Sequence, residues 1–337
     1  MSVDPSSSRL MAYVRGLPRG CKLCMRGSKL VIFVTGVCPE NCFYCPVSPR
    51  RRGRRVVYVD EEEAKSFRDV VEEADAIGAE GASFTGGEPL TAPRRVEALA
   101  RLLKDLYGPG FHIHLYTGGS MLTRHALKWL SGIVDEVRVH PRTPDQWRHV
   151  LRLAEFRRIE GLDVSLGVEV PVIPGDGGRL VGWIRELDKA GVDFVNLNEF
   201  EWAPHTLRAL LERGFTPGEG SSVKGSWEEA LRIMEEAGRI TERIMIHYCS
   251  SRYKDVVQLR MRNYRKALRT SRGYELVKSE GVVVFLEPGI PASSLADYCS
   301  NGLTRCWPLL DIDGCVVEAY PSRSREPIVS RRCRGSG

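Results

Sequence analysis

No apolar run in these 337 residues approaches the roughly 18 that a membrane-crossing helix needs. The first residues, Met1 to Ser8, lack the basic stretch and apolar segment of a signal peptide. Together these absences predict a cytoplasmic protein with no membrane contact. Little excess of either charge is present: a net +6 is too mild to imply general affinity for polyanions. Neither Cys-x2-Cys pair is followed by His, which excludes a c-type haem at those sites. No sequence repeat of the solenoid kind is present. Hydrophobic content of 42% and charged content of 27% are ordinary for a globular protein, and the length allows a substantial core. What stands out is cysteine. Ten in a chain without a secretion signal suggest metal or redox chemistry before a disulfide framework. Disulfides of a hyperthermophile protein are the alternative, above all among the later cysteines.

Three of the ten follow one apolar stretch. Lys29-Leu30-Val31-Ile32-Phe33-Val34-Thr35 has the length and β-branched content of a buried strand. It stops at Gly36 and opens into a loop with Cys38, Cys42 and Cys45. Three thiolates so close can hold three irons of a cubane cluster, whereas four cysteines would fill every iron. The fourth iron is left open for another ligand.

Beyond this loop, strands alternate with amphipathic helices. Expected strands are Ala82–Thr85, Phe111–Thr117, Val134–His140, Val164–Val170 and Phe194–Glu199, with helices between them. The first of these helices is expected from Asp60, as N-cap of an acidic first turn, to Gly78. Six βα units argue for a parallel sheet in an α/β protein, best fitted by a partial (β/α)6 TIM-like barrel with a C-terminal extension. A doubly wound open sheet is the runner-up. Residues 1–28 read as an N-terminal lead-in with a Cys pair, 29–250 as the barrel, and 251–337 as a basic helix with a small extension. A further strand is expected at Ile244–Cys249. Chemistry in such barrels sits at the C-terminal ends of the strands, where the cysteine loop and Gly86-Gly87-Glu88-Pro89 both fall.

The cysteine spacing, followed one unit later by Gly-Gly-Glu-Pro, resembles the radical S-adenosylmethionine (radical SAM) superfamily from about Val31 to Glu199. The wider wording, including Thr35-Gly36-Val37-Cys38 and Asn196-Leu197-Asn198-Glu199, is similar to archaeal members described as related to pyruvate formate-lyase activating enzymes. The resemblance implies a [4Fe-4S] cluster on Cys38, Cys42 and Cys45, with SAM on the open iron. Gly86, Gly87 and Glu88 would meet its methionyl end, Tyr44 would lie against adenine, and Thr117, His140 or Asn196 would contact ribose. An external electron donor would reduce the cluster, and SAM would break to methionine and a 5′-deoxyadenosyl radical that abstracts hydrogen from substrate. The adenine-binding pattern of the fifth strand is matched poorly by Gly167 to Gly175.

Other residues keep rival readings open. Cys21-x2-Cys24 and Cys42-x2-Cys45, 17 residues apart, fit the roughly 15–20-residue spacing of a zinc site. A zinc-stabilised nucleic-acid-binding protein without catalysis is therefore the minor alternative. Cys21, Cys24 and Cys249 could instead bind a second Fe–S cluster or zinc, or be inert buried thiols, and Cys299, Cys306 and Cys315 could complete a set. His112 and His114 share a strand face, as do Asn196 and Asn198, and could point into the barrel. Arg50–Arg55 and the basic helix within Arg252–Arg272 could form a phosphate-binding surface, tilting the substrate toward RNA or tRNA. A protein glycyl radical, a peptide or a small molecule are the alternatives, and a solvated helix face is the bland reading of those cations.

Overall fold

Strand order decides the architecture. In this structure, a computed structural model describing residues 10–272, 275–288, 314–319 and 327–331, the chain opens with β1 (Met11–Val14), α1 (Arg19–Met25) and β2 (Lys29–Thr35). A small hairpin, β3 (Tyr58–Val59) and β4 (Glu62–Glu63), precedes α2 (Phe67–Ile77). The alternation continues through β5 (Gly81–Gly86), α3 (Pro93–Tyr107), β6 (His112–Thr117), α4 (Arg124–Ser131), β7 (Glu136–Val139) and α5 (Pro144–Glu160). It ends with β8 (Ser165–Val172), α6 (Gly177–Ala190), β9 (Phe194–Glu199), α7 (Leu207–Leu211), α8 (Ser226–Ile240) and β10 (Met245–Cys249). Strands β2, β5, β6, β7, β8, β9 and β10 lie side by side in that order, all parallel. The order never reverses. Because βα crossovers are right-handed, every crossover helix then falls on one face and the sheet must curl around the other. A doubly wound sheet needs a reversal and is excluded.

The two faces differ as that argument requires. Ile113, Leu115, Val137, Val139, Val168 and Leu197 join the apolar core under the helices. The alternate positions His112, His114, Glu136, Arg138, Glu169 and Asn196 face inward and are polar. The barrel stays open: antiparallel β1 flanks β10 at one edge, and the hairpin flanks β2 at the other. The lead-in, expected as a separate segment, contributes β1 to this sheet and packs α1 against β2, β5 and β6.

Helix limits follow local chemistry. Helix α5 has the Thr143–Gln146 capping box, Pro144 in its first turn and Gly161 at φ 60° as C-cap. The helix expected from Asp60 starts instead at Phe67, where Ser66 and Asp69 form the capping box. Asp60 sits in the β3–β4 turn at φ 49°, accepting from the Val31 amide at 2.9 Å. Its acidic run imitates a first helical turn, but the reciprocal cap lies six residues on.

After β10 the chain is helical from Ser251 to Thr270, as α9 (Ser251–Tyr253), a π-helical segment Lys254–Leu259 and α10 (Arg260–Thr270). The described remainder forms a separate antiparallel sheet of β11 (Leu276–Val277), β12 (Val283–Pro288), β13 (Gly314–Ala319) and β14 (Pro327–Arg331). Cys299, Cys306 and Cys333, and the side chain of Cys315, lie outside what is described. Much of the basic helix is turned to internal partners. Arg262 pairs with Asp60 at 2.9 Å, Lys266 with the buried Glu73 at 2.7 Å, and Arg265 caps the carbonyls of Ile77 and Gly78. Lys254 pairs with Glu201 and Arg252 with Glu219. These cations fasten α10 to α2 and the π segment to the barrel. Among the described residues, no helix is long and apolar enough to cross a membrane.

Candidate active site at the mouth of the barrel

The cysteine loop is held by backbone contacts that only glycine permits. A Cβ on Gly36 would fall 1.7 Å from the Arg51 carbonyl oxygen, and one on Gly87 would fall 2.5 Å from that of Val37. The Gly36 amide donates to Arg54 O at 2.8 Å, and Gly53 donates back to Gly36 O at 2.7 Å. Gly87 and Glu88 donate to Thr35 and Val37. The end of β2 is thus stitched to the turn after β5, so cysteines and glycine turn are one unit. Gly36→Ala should push the loop off this seat, costing about 1–3 kcal/mol in a melt. Iron uptake on reconstitution should fall with it; unchanged uptake would show that the seat does not set the loop.

Cys38, Cys42 and Cys45 line one cavity of ≈ 370 Å³ together with Tyr44, Gly86, Gly87, Thr117 and His140. Burial, then the neighbouring thiols, pushes Cys42 up to about 11. Burial, then Glu88 and Cys45, also raises Cys38. Thiols that hinder one another's ionisation favour a cationic guest, whose binding must displace their protons. Among the described residues no trio stands ready for a single metal ion. A cubane spreads its thiolates over separate irons and needs no such trio, so the donor set suits a cluster better than zinc.

One wall is fixed by two neutral groups. His140 Nδ1 is 2.9 Å from the Glu169 carbonyl and Nε2 is 2.9 Å from Tyr44 Oη. A carbonyl can only accept, so Nδ1 carries the proton and Nε2 accepts from the tyrosine. Burial lowers the His140 pKa, which keeps the ring neutral. Phe43 and Tyr44 pack on Phe200 and Phe215 from the excursion between β9 and α8, and His205 Nε2 lies 2.9 Å from Cys45 O. Sequence inspection missed this excursion, since it carries no metal-ligating pattern.

The residues expected around SAM separate into two groups. Tyr44, Gly86, Gly87, Thr117 and His140 line the cavity. Glu88 lies behind its wall, fully buried, accepting from Leu90 N, Thr117 Oγ1 and Gly118 N, so it braces the ends of β5 and β6. Burial raises its pKa. Asn196 lies beneath the floor, while its neighbour Asn198 reaches the cavity.

The floor is a buried ion network. Arg138 bonds Glu136 Oε1 at 2.5 Å and Glu169 Oε2 at 2.8 Å, and Glu169 also accepts from Asn196 and Asn198 at 2.8 Å. Burial opposes ionisation of Glu169, but Arg138 and the two amides hold its pKa down. A carboxylate therefore faces the cavity. Period-two alternation of polar residues along β7 and β8 was the available signal for this pair.

Helix α1 plugs the barrel below. Cys21 Sγ lies 3.4 Å from both Arg138 Nη2 and Asn196 Nδ2, and burial pushes its thiol far up. The zinc pattern is therefore not assembled, because Cys21 and Cys24 lie in the lumen while Cys42 and Cys45 line the cavity mouth. Cys249 is buried at the end of β10 and accepts from Gln258 at 3.4 Å. Among the described residues, Cys21, Cys24 and Cys249 form no metal-holding group.

Residues 32–158 match the model of the Radical SAM superfamily. A Methanocaldococcus jannaschii protein, named provisionally as a glycyl-radical enzyme activating enzyme, is 31% identical over 296 residues. That match covers 84% of this chain and 76% of the relative. A GTP 3′,8-cyclase of Rhizobium etli is 27% identical over 239 residues, 63% of this chain and 66% of the cyclase. SuiB of Streptococcus suis, solved bound to S-adenosylmethionine, aligns with a TM-score of 0.45 at 14% identity, over 68% of this chain and 53% of SuiB.

Proposed function

We propose, since this chain belongs to the radical SAM superfamily, that Cys38, Cys42 and Cys45 hold its [4Fe-4S] cluster and that the adjoining cavity takes SAM and a polypeptide substrate. One observation carries this reading: three thiols from the first strand-end loop and the glycine turn of the next strand line the same cavity. Bound there, the cluster and SAM would supply a 5′-deoxyadenosyl radical by reductive cleavage. The protein's own groups orient and enclose. Gly86 and Gly87 would seat the methionyl end, where backbone can approach closely because no side chain intervenes. Tyr44, held by His140, would flank the nucleoside, and Thr117 would lie near it. Glu169 keeps a fixed negative charge on the floor, and Arg142 with Glu40 and Lys254 with Glu201 form paired charges on the walls.

The polypeptide substrate is favoured by the named relative, and by the pairing of Arg262 and Lys266, two of the helix cations that an RNA reading would use. The test is anaerobic reconstitution with iron and sulfide, then reduction with dithionite and addition of SAM. Release of 5′-deoxyadenosine is expected, with a glycyl-radical electron paramagnetic resonance doublet when a glycyl-radical enzyme is added. A colourless zinc protein that leaves SAM intact would sink the whole reading. Turnover stimulated only by tRNA would redirect the substrate to RNA.

A further inference from the structure

Arg262, Arg265 and Lys266 of the C-terminal helix have acidic partners within the fold but, among the described residues, the cations beside the cysteine loop do not. Arg50, Arg54 and Arg55 are exposed and, among the described residues, make no ion pair or side-chain hydrogen bond. Arg52, also exposed, bonds Asn41 of the cysteine loop at 2.8 Å. The segment is not loosely attached: the backbone bonds to Gly36 fix Gly53 and Arg54 against the end of β2. A rigid, uncompensated positive edge therefore borders the three cysteines. Keeping four like charges together costs self-repulsion, which a partner of opposite sign would relieve.

The same edge frames a second depression, of ≈ 560 Å³, lined by Phe33, Pro46, Val47, Ser48, Arg50, Arg51 and Tyr58. Phe33, Pro46 and Val47 also line the cysteine cavity. These side chains are a shared wall. A molecule seated on the outer side would face the cysteines across that wall and leave the substrate mouth clear. Arg51 lies 3.8 Å over the Tyr58 ring, so that ring's face is already occupied. Single-stranded RNA would need such faces free for stacking.

We propose that the Arg50–Arg55 edge docks an acidic one-electron carrier protein, which reduces the cluster through the wall of Phe33, Pro46 and Val47. This rests on the cluster assignment made above. In the step the carrier is oxidised by one electron and the cluster is reduced by one, with no bond made or broken.

The experiment uses the reconstituted holoprotein and its Arg50→Gln/Arg54→Gln/Arg55→Gln variant, with Arg52 left because it reaches the cavity. Stopped-flow reduction is followed with an acidic plant-type ferredoxin and, separately, with the methyl viologen radical cation. Steering by surface charge raises association roughly 10- to 1,000-fold. The ferredoxin rate constant should therefore fall about tenfold or more in the variant at low salt. The two proteins should converge near 1 M salt, where screening shortens the Debye length to about 3 Å. The viologen rate should hold or rise. An unchanged ferredoxin rate overturns the proposal. So does a parallel loss with viologen, which would mean that the loop only shapes the cluster site. Salt-sensitive tRNA binding lost in the variant, with ferredoxin unaffected, would assign the edge to RNA instead. A wild-type protein that takes up no iron overturns the cluster assignment first, before any carrier is added.

Discussion

Alanine at Cys38, Cys42 or Cys45 should yield a folded protein that holds little iron and releases no 5′-deoxyadenosine. The fold should tolerate these changes because none of the three thiols belongs to the apolar core. Cys38 is exposed, the other two are partly exposed, and all sit on a loop seated by backbone hydrogen bonds. Substitutions of that kind usually stay within about 0.5 kcal/mol. The chemistry should not tolerate them. Each thiolate would hold a separate iron, and among the described residues no fourth cysteine lines the cavity to take its place. The loss should exceed the roughly 10- to 100-fold that follows removal of an outer-sphere partner. Cys24→Ala is the control, since Cys24 lies among the lumen groups and its thiol is raised chiefly by burial. It should keep the iron and the turnover. Iron analysis, visible absorbance and product release read the result; a triple variant that still bound iron and cleaved SAM would refute the ligand assignment.

Arg138→Met should be the most destabilising single change in the barrel. Its guanidinium is 2% exposed and joins Glu136, Glu169, Tyr116 and Cys21, with Phe194 and Tyr116 rings alongside. Methionine fills similar space but strands two carboxylates whose side chains are 2% and 12% exposed. Breaking a buried pair from one side costs about 3–5 kcal/mol. For a chain of this size that is a fall of about 4–7 °C in Tm.

The acid limb supplies a second readout. Burial raises the Glu136 pKa, but Arg138 and then His112 outweigh it and hold the group at about 2. The folded value lies below the ordinary carboxylate value of 4.5. Its stabilisation is thus complete above that value and lost as pH falls from about 4.5 toward 2. Without Arg138 the carboxylates take up protons more readily in the folded state. The variant should then close part of its gap to the wild type in acid. A gap constant from pH 7 to pH 3, measured by thermal melts, would show that charge is not what the substitution removed.

Some of this protein was legible because local chemistry and local structure agree. Helix α5 announces both ends, through Thr143, Pro144 and Gln146 at one and Gly161 at the other. The strand from Phe194 to Glu199 needs only its own pattern. Asp60 shows how such signals mislead. An acidic run is favourable at a helix start and equally favourable in a turn facing Arg262, whose partner is 202 positions away along the chain. The C-terminal cations carry the same lesson in part: their spacing suggested a phosphate surface, and Asp60, Glu80 and Glu73 of a distant segment pair three of them, Arg262, Arg265 and Lys266.

The sequence by itself determined the βα rhythm, the strand ends on which the chemistry would sit, and the cysteine loop with its glycine turn. Those depend on spacing within a few residues, where geometry is set by covalent connection and backbone preference. The tertiary structure alone decided that the lead-in plugs the barrel, that Asn196 lies beneath the floor and Asn198 reaches the cavity, and that Glu88 braces two strands. It also decided which arginines remain unpaired. Partnerships of buried and charged groups are formed across the sheet, between residues far apart in the chain, and the cost of leaving such a group unpartnered depends on neighbours that only folding brings together.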